Sequence, residues 1–509
     1  MEEEGGVNGE PAVDVSASDW EATPVSVQRL VAQLMLTVQQ LRAELVKLRR
    51  DNEALRKENE ALRAHNTQLT ARVAELEEKL RTNSRNSSKP PSSDPPSTPP
   101  PPTRRTKNKR NKGGQKGHRG THRALLPPEQ VDAFVVCKPT TCSGCKKPIA
   151  GHDQAPQRHQ VHELAPKLIH TTEYQLHELT CPCGAHTRAP LPSGVGLSPF
   201  GSSIQALTAV LVGGFKLSHA GVVEMMRDVF GLSMSTGAVT NTLVRASNAL
   251  EPVYDEARDA ARKAEVAHAD ETSWRVGAKK AWLWVLCTPL LEVLRVAKGR
   301  SEVSGRKLLG RVFKGTLVTD RYAVYGRIAS KQQYCHAHLY RDWFKVEQRG
   351  GEDEAIGLHL RRLTRRLLRA HRRKRREGLT QNWLRKQLVP IQRSYAEWLV
   401  HGFEQGSAKT RELCARLHAS QSKLWTFVMD ESVEPTNNRA ERALRHAVLL
   451  RKNSYGNDSA RGARFMERLL TVRGSLRRQG QRLLSFVVDC IAAVRNPAAR
   501  PSLLPAVAA

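Results

Sequence analysis

Leucine recurs at every seventh position from Leu34 to Leu76, through Leu41, Leu48, Leu55, Leu62 and Leu69. Three positions before each stand Val31, Val38, Leu45, Asn52, Asn59, Asn66 and Val73, so the two series fill the d and a positions of a heptad repeat over residues 28–80. Leu at d with Val or Asn at a predicts a parallel two-stranded coiled coil, and the buried Asn pairs would fix its register. Glu44 with Arg49, Asp51 with Arg56 and Glu58 with Arg63 then become attractive g-to-e pairs between identical chains. A homodimer or higher homo-oligomer is expected. After Arg81 the period stops. NSRNSSKPPSSDPPSTPPPP and TRRTKNKRNKGGQKGHRG offer too little apolar side chain for a core, so residues 81–125 read as an extended spacer followed by a basic arm. Arg104, Arg105, Lys109 and Arg110 of that arm would meet phosphates without reading bases.

A two-residue period takes over further on. VAHAD, AWLWVLCTP and LEVLRVA are three strand-like runs, SGRKLLGRVF has helical spacing, and GTLVTD is a fourth, buried strand. Asp270 stands at the end of the first run, Asp320 at the end of the fourth, and Glu441 on a later helix in NNRAERALRHAVLLRK. This β-β-β-α-β order, with acids at those places, predicts a ribonuclease-H-like core. Alternation along the first strand sends Asp270 and Glu271 to opposite faces and puts His268 on the side of Asp270. Arg445 lies four residues beyond Glu441 and Lys452 eleven, so both fall near its face of the helix, where they would hold DNA phosphate. The long interval between Asp320 and Glu441 is helical and basic, as in LHLRRLTRRLLRAHRRKRREGL, where Leu358, Leu360, Leu363, Leu367 and Leu368 form a stripe and arginines cover the remainder. An all-helical insertion at about 343–430, facing phosphate, fits that composition.

Charge sharpens the picture. With 81 Lys+Arg among 509 residues and a net charge of +31, the chain calls for a polyanionic partner, and double-stranded DNA is the first candidate. No apolar run approaches the ~20 residues of a spanning helix, and MEEEGGVNGE has no signal-peptide pattern, so no membrane partner and a cytoplasmic location are expected. Nine cysteines in a chain this long make no disulfide scaffold. Cys142-Ser-Gly-Cys145 and Cys181-Pro-Cys183 are instead spaced as ligands of a structural tetrahedral Zn²⁺, the second pair one residue tighter than the usual spacing, with Cys137 and His186 nearby. Between the cysteines and the strands, SHAGVVEMMRDVFG and TGAVTNTLVRAS form a candidate helix-turn-helix that would offer Thr240, Asn241 and Arg245 to DNA. Cys335-His336-Ala337-His338 lacks four evident ligands and is read as substrate positioning or packing.

Three oxygen ligands from distant segments suit hard divalent cations, Mg²⁺ or Mn²⁺, and two such ions can serve in-line displacement at a phosphodiester. Asp270, Asp320 and Glu441 are the candidate metal ligands and catalytic residues.

NSRNSSKPPSSD after the heptads, GGQKGHRG, the cysteine pairs, HADET, VTDRYAVY, CHAHLYRDW and NNRAERALRHAVLLRKNSYG occur in this order, and together they resemble the transposase of the insertion sequence 66 family over about residues 28–485. The resemblance implies a bacterial, nucleoid-associated DDE transposase that binds the ends of its element, cleaves there and joins the 3′ ends to target DNA, with Asp270, Asp320 and Glu441 as its triad and accessory proteins from the same element as partners. It implies a zinc-finger-like domain at 137–186, and Cys335 with His338 match a CxxH motif seen in related transposases. Two other outcomes stand beside it: a catalytically silent DNA-binding or regulatory derivative, and a nuclease without strand transfer. The expected fold class is multidomain, α and α/β. Its parts are a disordered acidic segment (1–27), a coiled coil (28–80), a linker (81–125), a zinc-finger-like module (126–196), a helical region (197–255), the catalytic core (256–480) and a C-terminal helix and tail (481–509).

Overall fold

Residues 25–81 contain neither glycine nor proline, and in the computed structural model they form one uninterrupted helix of 57 residues, α2 (Val25–Arg81), after a short α1 (Ala17–Glu21). At 1.5 Å per residue it is about 85 Å long. Leu34, Leu41, Leu48, Leu55, Leu62, Leu69 and Leu76 are between 45% and 65% exposed along it and form an apolar seam. The structure describes residues 15–83, 86, 125–148, 150, 157–162, 164, 168–180, 182–183, 186–192, 194–454 and 456–505. The basic-arm residues Arg104, Arg105, Lys109 and Arg110, and Cys181, lie outside them. The chain divides into two compact units, residues 1–85 with 89–94, and the remainder.

In the second unit a small antiparallel pair, β1 (Glu178–Thr180) and β2 (His186–Arg188), precedes three helices: α3 (Ser202–Gly213), α4 (His219–Phe230) and α5 (Thr236–Arg262). Ser218 caps α4 through the Gly221 amide at 3.0 Å, and Ser235 caps α5 through the Ala238 amide at 3.1 Å. Between them Gly231, at φ 63°, closes α4 in the left-handed conformation that a side chain would strain. The helix–turn–helix outline is therefore present locally. Most of α5, however, is core: Val239, Leu243, Ala246, Leu250, Val253 and Ala257 are buried along one face.

A five-stranded mixed sheet follows, with β3 (Val266–Val276), β4 (Lys279–Cys287) and β5 (Glu292–Ala297) antiparallel, then α6 (Glu302–Leu309), and β6 (Phe313–Thr319) parallel to β3. After α7 (Ala323–Ile328), β7 (Ala329–Tyr334) runs parallel to β6, giving the spatial order β5-β4-β3-β6-β7. Asp270 does not end its strand. It sits in the middle of β3, because Thr272, Trp274 and Val276 continue the pairing onto β4 for six residues more.

Five helices separate the sheet from the Glu441 helix: α8 (His336–Glu347), α9 (Glu352–Glu377), α10 (Gln381–Gln405), α11 (Ala408–Ala419) and α12 (Ser422–Met429). They bury a core of their own, built from Trp343, Leu360, Leu367, Leu388, Tyr395 and Phe427. Leu360, Leu363 and Leu367 of the expected stripe are buried, Leu358 and Leu368 half-buried, and Arg362, Arg365, Arg366, Arg369 and Arg372 face solvent. The chain closes with α13 (Asn438–Ser454), α14 (Ala460–Gln479) and α15 (Leu483–Ala492), after which Leu503 folds back into the main core.

Helix α14 lies along the outer side of β5. Its Glu467, Thr471 and Ser475 accept the backbone N–H groups of Val296, Leu294 and Glu292 at 2.7, 3.0 and 3.0 Å. Four helical residues span about 6.0 Å and two strand residues about 6.7 Å, so a single helix face can serve successive outward N–H groups of a strand. At the other edge, Thr426 of α12 donates to the Gln332 carbonyl at 2.6 Å, and the Gln333 side chain takes the Phe427 amide at 2.9 Å. No helix among the described residues is long and apolar enough to cross a membrane.

Candidate active site

Strands β3 and β6 pair only at Val266 with Thr316, Ala267 with Leu317 and His268 with Val318. Two residues beyond the last pair on each strand stand Asp270 and Asp320, so parallel register places the two acids at the same level on neighbouring strands, about 4.8 Å apart in backbone. β6 ends at Thr319, so both carboxylates stand where the strand ladder has just stopped. The Asp320 carboxylate accepts the Tyr322 amide at 2.9 Å, and that of Asp270 accepts the Glu271 amide at 2.9 Å.

Glu441 arrives on the first turn of α13, which packs on β3 and β4. One buried residue fixes that approach. Asn437, just before the helix, donates from Nδ2 to the Ala269 carbonyl at 2.8 Å, and its backbone N–H donates to Cys335 Sγ at 3.1 Å. Because Nδ2 faces Ala269, its Oδ1 is left to accept from His268 Nδ1 at 3.3 Å. Burial pushes the His268 imidazole down to about 4, so at neutral pH it is uncharged and serves the structure. Further along the helix Arg451 donates to the Thr272 hydroxyl at 3.1 Å and to Ser273 Oγ at 2.6 Å, pinning α13 to the far half of β3.

Electrostatics bind the acids into one group. Burial, followed by the negative charges of Glu271, Asp320 and Glu441, holds Asp270 well above the usual carboxylate range. Asp320 is raised by burial. Glu271 does face away from Asp270: Arg300 Nε donates to it at 2.7 Å and the Tyr325 hydroxyl also bonds it. Burial and then the Asp320 charge raise it in turn. Beside Glu441 lie Arg341, at 3.4 Å, and His338 Nδ1, at 3.6 Å, both to Oε1. Burial, with the positive charges of Arg341 and Arg321 behind it, pushes His338 down to about 3. Clustered carboxylates that resist ionisation in each other's presence form an oxygen donor set that a divalent cation would relieve.

A family model described as Transposase IS66 family matches residues 198–465, more than half of the chain and all three acids. The chain belongs to this family. A second model, a Family of unknown function (DUF6444), matches residues 24–124. No curated protein matches the chain. Family membership makes this a transposase, a nucleic-acid-processing enzyme.

The transposase's other anticipated residues that the structure describes fall in four places. Arg445 and Lys452 are exposed on α13, the helix that carries Glu441. Thr240, Asn241 and Arg245 are exposed near the start of α5, where Arg245 donates to Ser198 at 3.1 Å and Thr240 approaches His219 at 3.3 Å. Cys142 and Cys145 sit in a tight turn closed by the Cys142 amide on the Lys147 carbonyl (2.9 Å) and the Lys146 amide on that of Cys142 (3.0 Å). Amides of Cys145 and Gly144 directed at the Cys142 sulfur lower its thiol. Cys183 lies in the turn between β1 and β2. Asn437 and Arg451 were not anticipated as positioning residues. The pair Asn437–Asn438 ahead of an amphipathic helix was the only sequence signal for the first, and Arg451 had none.

Proposed function

We propose that this transposase binds the ends of an insertion element, cleaves phosphodiester bonds there and joins the 3′ ends to target DNA, with Asp270, Asp320 and Glu441 holding two Mg²⁺ or Mn²⁺ ions. The observation that carries this reading is the register of His268 with Val318, which sets Asp270 and Asp320 side by side while α13 brings Glu441 to the same face. The strand order β5-β4-β3-β6-β7 supports a ribonuclease-H-like, DDE-type core, with one acid on the first strand in chain order, one just past the fourth and a third on a later helix. Burial and the charges of Glu271, Asp320 and Glu441 raise the proton affinity of Asp270, and oxygen-only donors fit Mg²⁺ or Mn²⁺. Two such ions, when bound, would activate the attacking oxygen and stabilise the leaving one.

The chain's own groups do the remainder. Arg445 and Lys452, on the Glu441 helix, would hold DNA phosphate beside the acids, and the arginine face of α9 and the basic arm would add sequence-independent affinity. Hydrolysis leaves a 3′-hydroxyl at the element end. That hydroxyl then attacks a target phosphodiester, forming one P–O bond as another breaks, and both displacements run in the same geometry. The seam of α2 would assemble two or more chains on paired ends, and Cys142, Cys145, Cys181 and Cys183 would hold a structural Zn²⁺.

The test is cleavage and joining of DNA carrying the element's inverted repeats in Mg²⁺. Asp270→Asn, Asp320→Asn and Glu441→Gln should each bind DNA as the parent does yet lose cleavage and joining together by at least about 10³-fold. Near-normal end cleavage by any one of them removes that acid from the site.

A further inference from the structure

A second donor set meets the first at Glu441. Cys335 caps the N-terminus of α8 and His338 lies in its first turn, so the two share one face, and α13 presses Glu441 against them from the other side. A sulfur, an imidazole nitrogen and a carboxylate oxygen from these three residues all lie within 4.8 Å of one another. Cys335 is 1% exposed, and the backbone amide of Asn437 donates to its Sγ at 3.1 Å. His338 Nδ1 is buried and has no hydrogen-bond partner among the described residues, although it points at Glu441 Oε1 from 3.6 Å. A buried polar atom left unsatisfied costs about 1–3 kcal/mol, so a nitrogen kept in that condition beside a thiol and a carboxylate marks a place for something more.

The donors differ in kind from those of the carboxylate site. Thiolate and imidazole are ligands for Zn²⁺ and its neighbours, whereas Mg²⁺ avoids sulfur. Bonds of about 2.3 Å to sulfur and about 2.0–2.2 Å to nitrogen and oxygen in a tetrahedron put donor atoms roughly 3.3–3.6 Å apart, so closure needs inward movement of about 1 Å. The pair His338 and Glu441 already stands at that spacing. Arg341, 3.4 Å from the same Oε1, would have to yield the oxygen.

We propose that Cys335, His338 and Glu441 form a binding site for Zn²⁺ or a similar transition-metal ion, with the fourth position open to solvent or a DNA oxygen. Glu441 then belongs to two sites that compete for it. Zinc would draw it away from Asp270 and Asp320, so that Mg²⁺-dependent cleavage is inhibited by zinc through a ligand set that includes a thiol. The inhibition rests on the function proposed above, whereas the binding site does not.

The full chain, stripped of metal and dialysed against Zn²⁺ and separately Co²⁺, gives the direct readout: metal equivalents and the cobalt–thiolate charge-transfer absorption. Cys335→Ser and His338→Ala should each bind about one equivalent fewer than the parent, the ions on the other cysteines being common to all three proteins. Glu441→Gln, half-exposed on α13 and so not needed for folding, should bind the same ion at least about tenfold more weakly. Parent-like stoichiometry and affinity in the variants that remain folded would overturn the site. In cleavage assays at fixed Mg²⁺, His338→Ala should need at least about tenfold more zinc than the parent for half inhibition. A missing equivalent without any zinc effect on cleavage would uphold the site and overturn its competition for Glu441. A parent that binds the ion but never cleaves would refute the proposed function alone.

Discussion

The side chain of Asn437 donates to the carbonyl of Ala269 over 2.8 Å, and Ala269 is the residue before Asp270. The distance between the strand acid and the helix acid is thus held by one buried amide, itself oriented by His268. Asn437→Ala leaves the Ala269 carbonyl and the His268 N–H without that partner and should cost about 1–3 kcal/mol. Loss of cleavage should be larger than loss of fold, at least about 10²-fold, because a shift of Glu441 by an ångström misplaces the chemistry. Thermal denaturation alongside end cleavage separates the two, and a destabilised variant with parent-like turnover would show that Glu441 is held by other contacts.

A pH and metal dependence follows from the raised acids. Asp270 and Asp320 bind protons more tightly folded than unfolded, so they favour the fold least above their folded pKa values, and stability falls as pH climbs from about 4. In EDTA, Asp270→Asn should therefore melt higher than the parent at pH 8. Mg²⁺ should raise the parent's Tm at pH 8, much less at pH 5, and little in the amide variant. An equal Mg²⁺ effect at both pH values would place the ion elsewhere.

Glu271 should prove structural. Its side chain is fully buried against Arg300 and Tyr325 on the face away from Asp270, so Glu271→Gln should lower stability by about 1–3 kcal/mol while end cleavage at a permissive temperature stays within about tenfold of the parent. A folded variant with no cleavage would make Glu271 a member of the catalytic site instead.

Residues 25–81 should associate as a parallel dimer. Changing Asn52, Asn59 and Asn66 together to Ile should raise the melting temperature and allow trimers or mixed registers, since polar a positions trade stability for alignment. Sedimentation of the peptide measures both, and a monomer at every concentration would leave the exposed leucines without this explanation.

On α9, Arg362, Arg365 and Arg369 are exposed, so Gln at all three should leave the fold intact. If they meet phosphates, the slope of log affinity against log salt should fall by about 2–3. An unchanged slope would make this face an ordinary solvated surface.

What could be read from the sequence followed how far each signal is local. The heptads of α2 carry their period in the chain itself. Strands β3 to β6 announced themselves by apolar runs, and the acids stood beside them. β7 gave no such sign: ASKQQY is polar, and its Gln332 and Gln333 are buried beneath α12, where Thr426 donates to the Gln332 carbonyl and the Gln333 side chain takes the Phe427 amide. Asp270 looked terminal because Glu271, Thr272, Ser273 and Arg275 interrupt the apolar alternation, although pairing with β4 carries the strand on. The nearness of Cys335 and His338 to Glu441 depends on α8 meeting α13 across about a hundred intervening residues, and no spacing rule encodes it.

Both borders of the five-stranded sheet are already occupied by side chains, those of α14 at β5 and those of α12 at β7. An incoming strand would find the outward N–H groups of Glu292, Leu294 and Val296 on β5 already taken, so β-augmentation by a partner and edge-to-edge fibre growth are disfavoured at that border. Contacts that this sheet's unit makes with other molecules must therefore be written in helix faces and loops. A variant that removes the border hydroxyls, such as Thr471→Val with Ser475→Ala, would expose an aggregation hazard far from any residue that touches DNA.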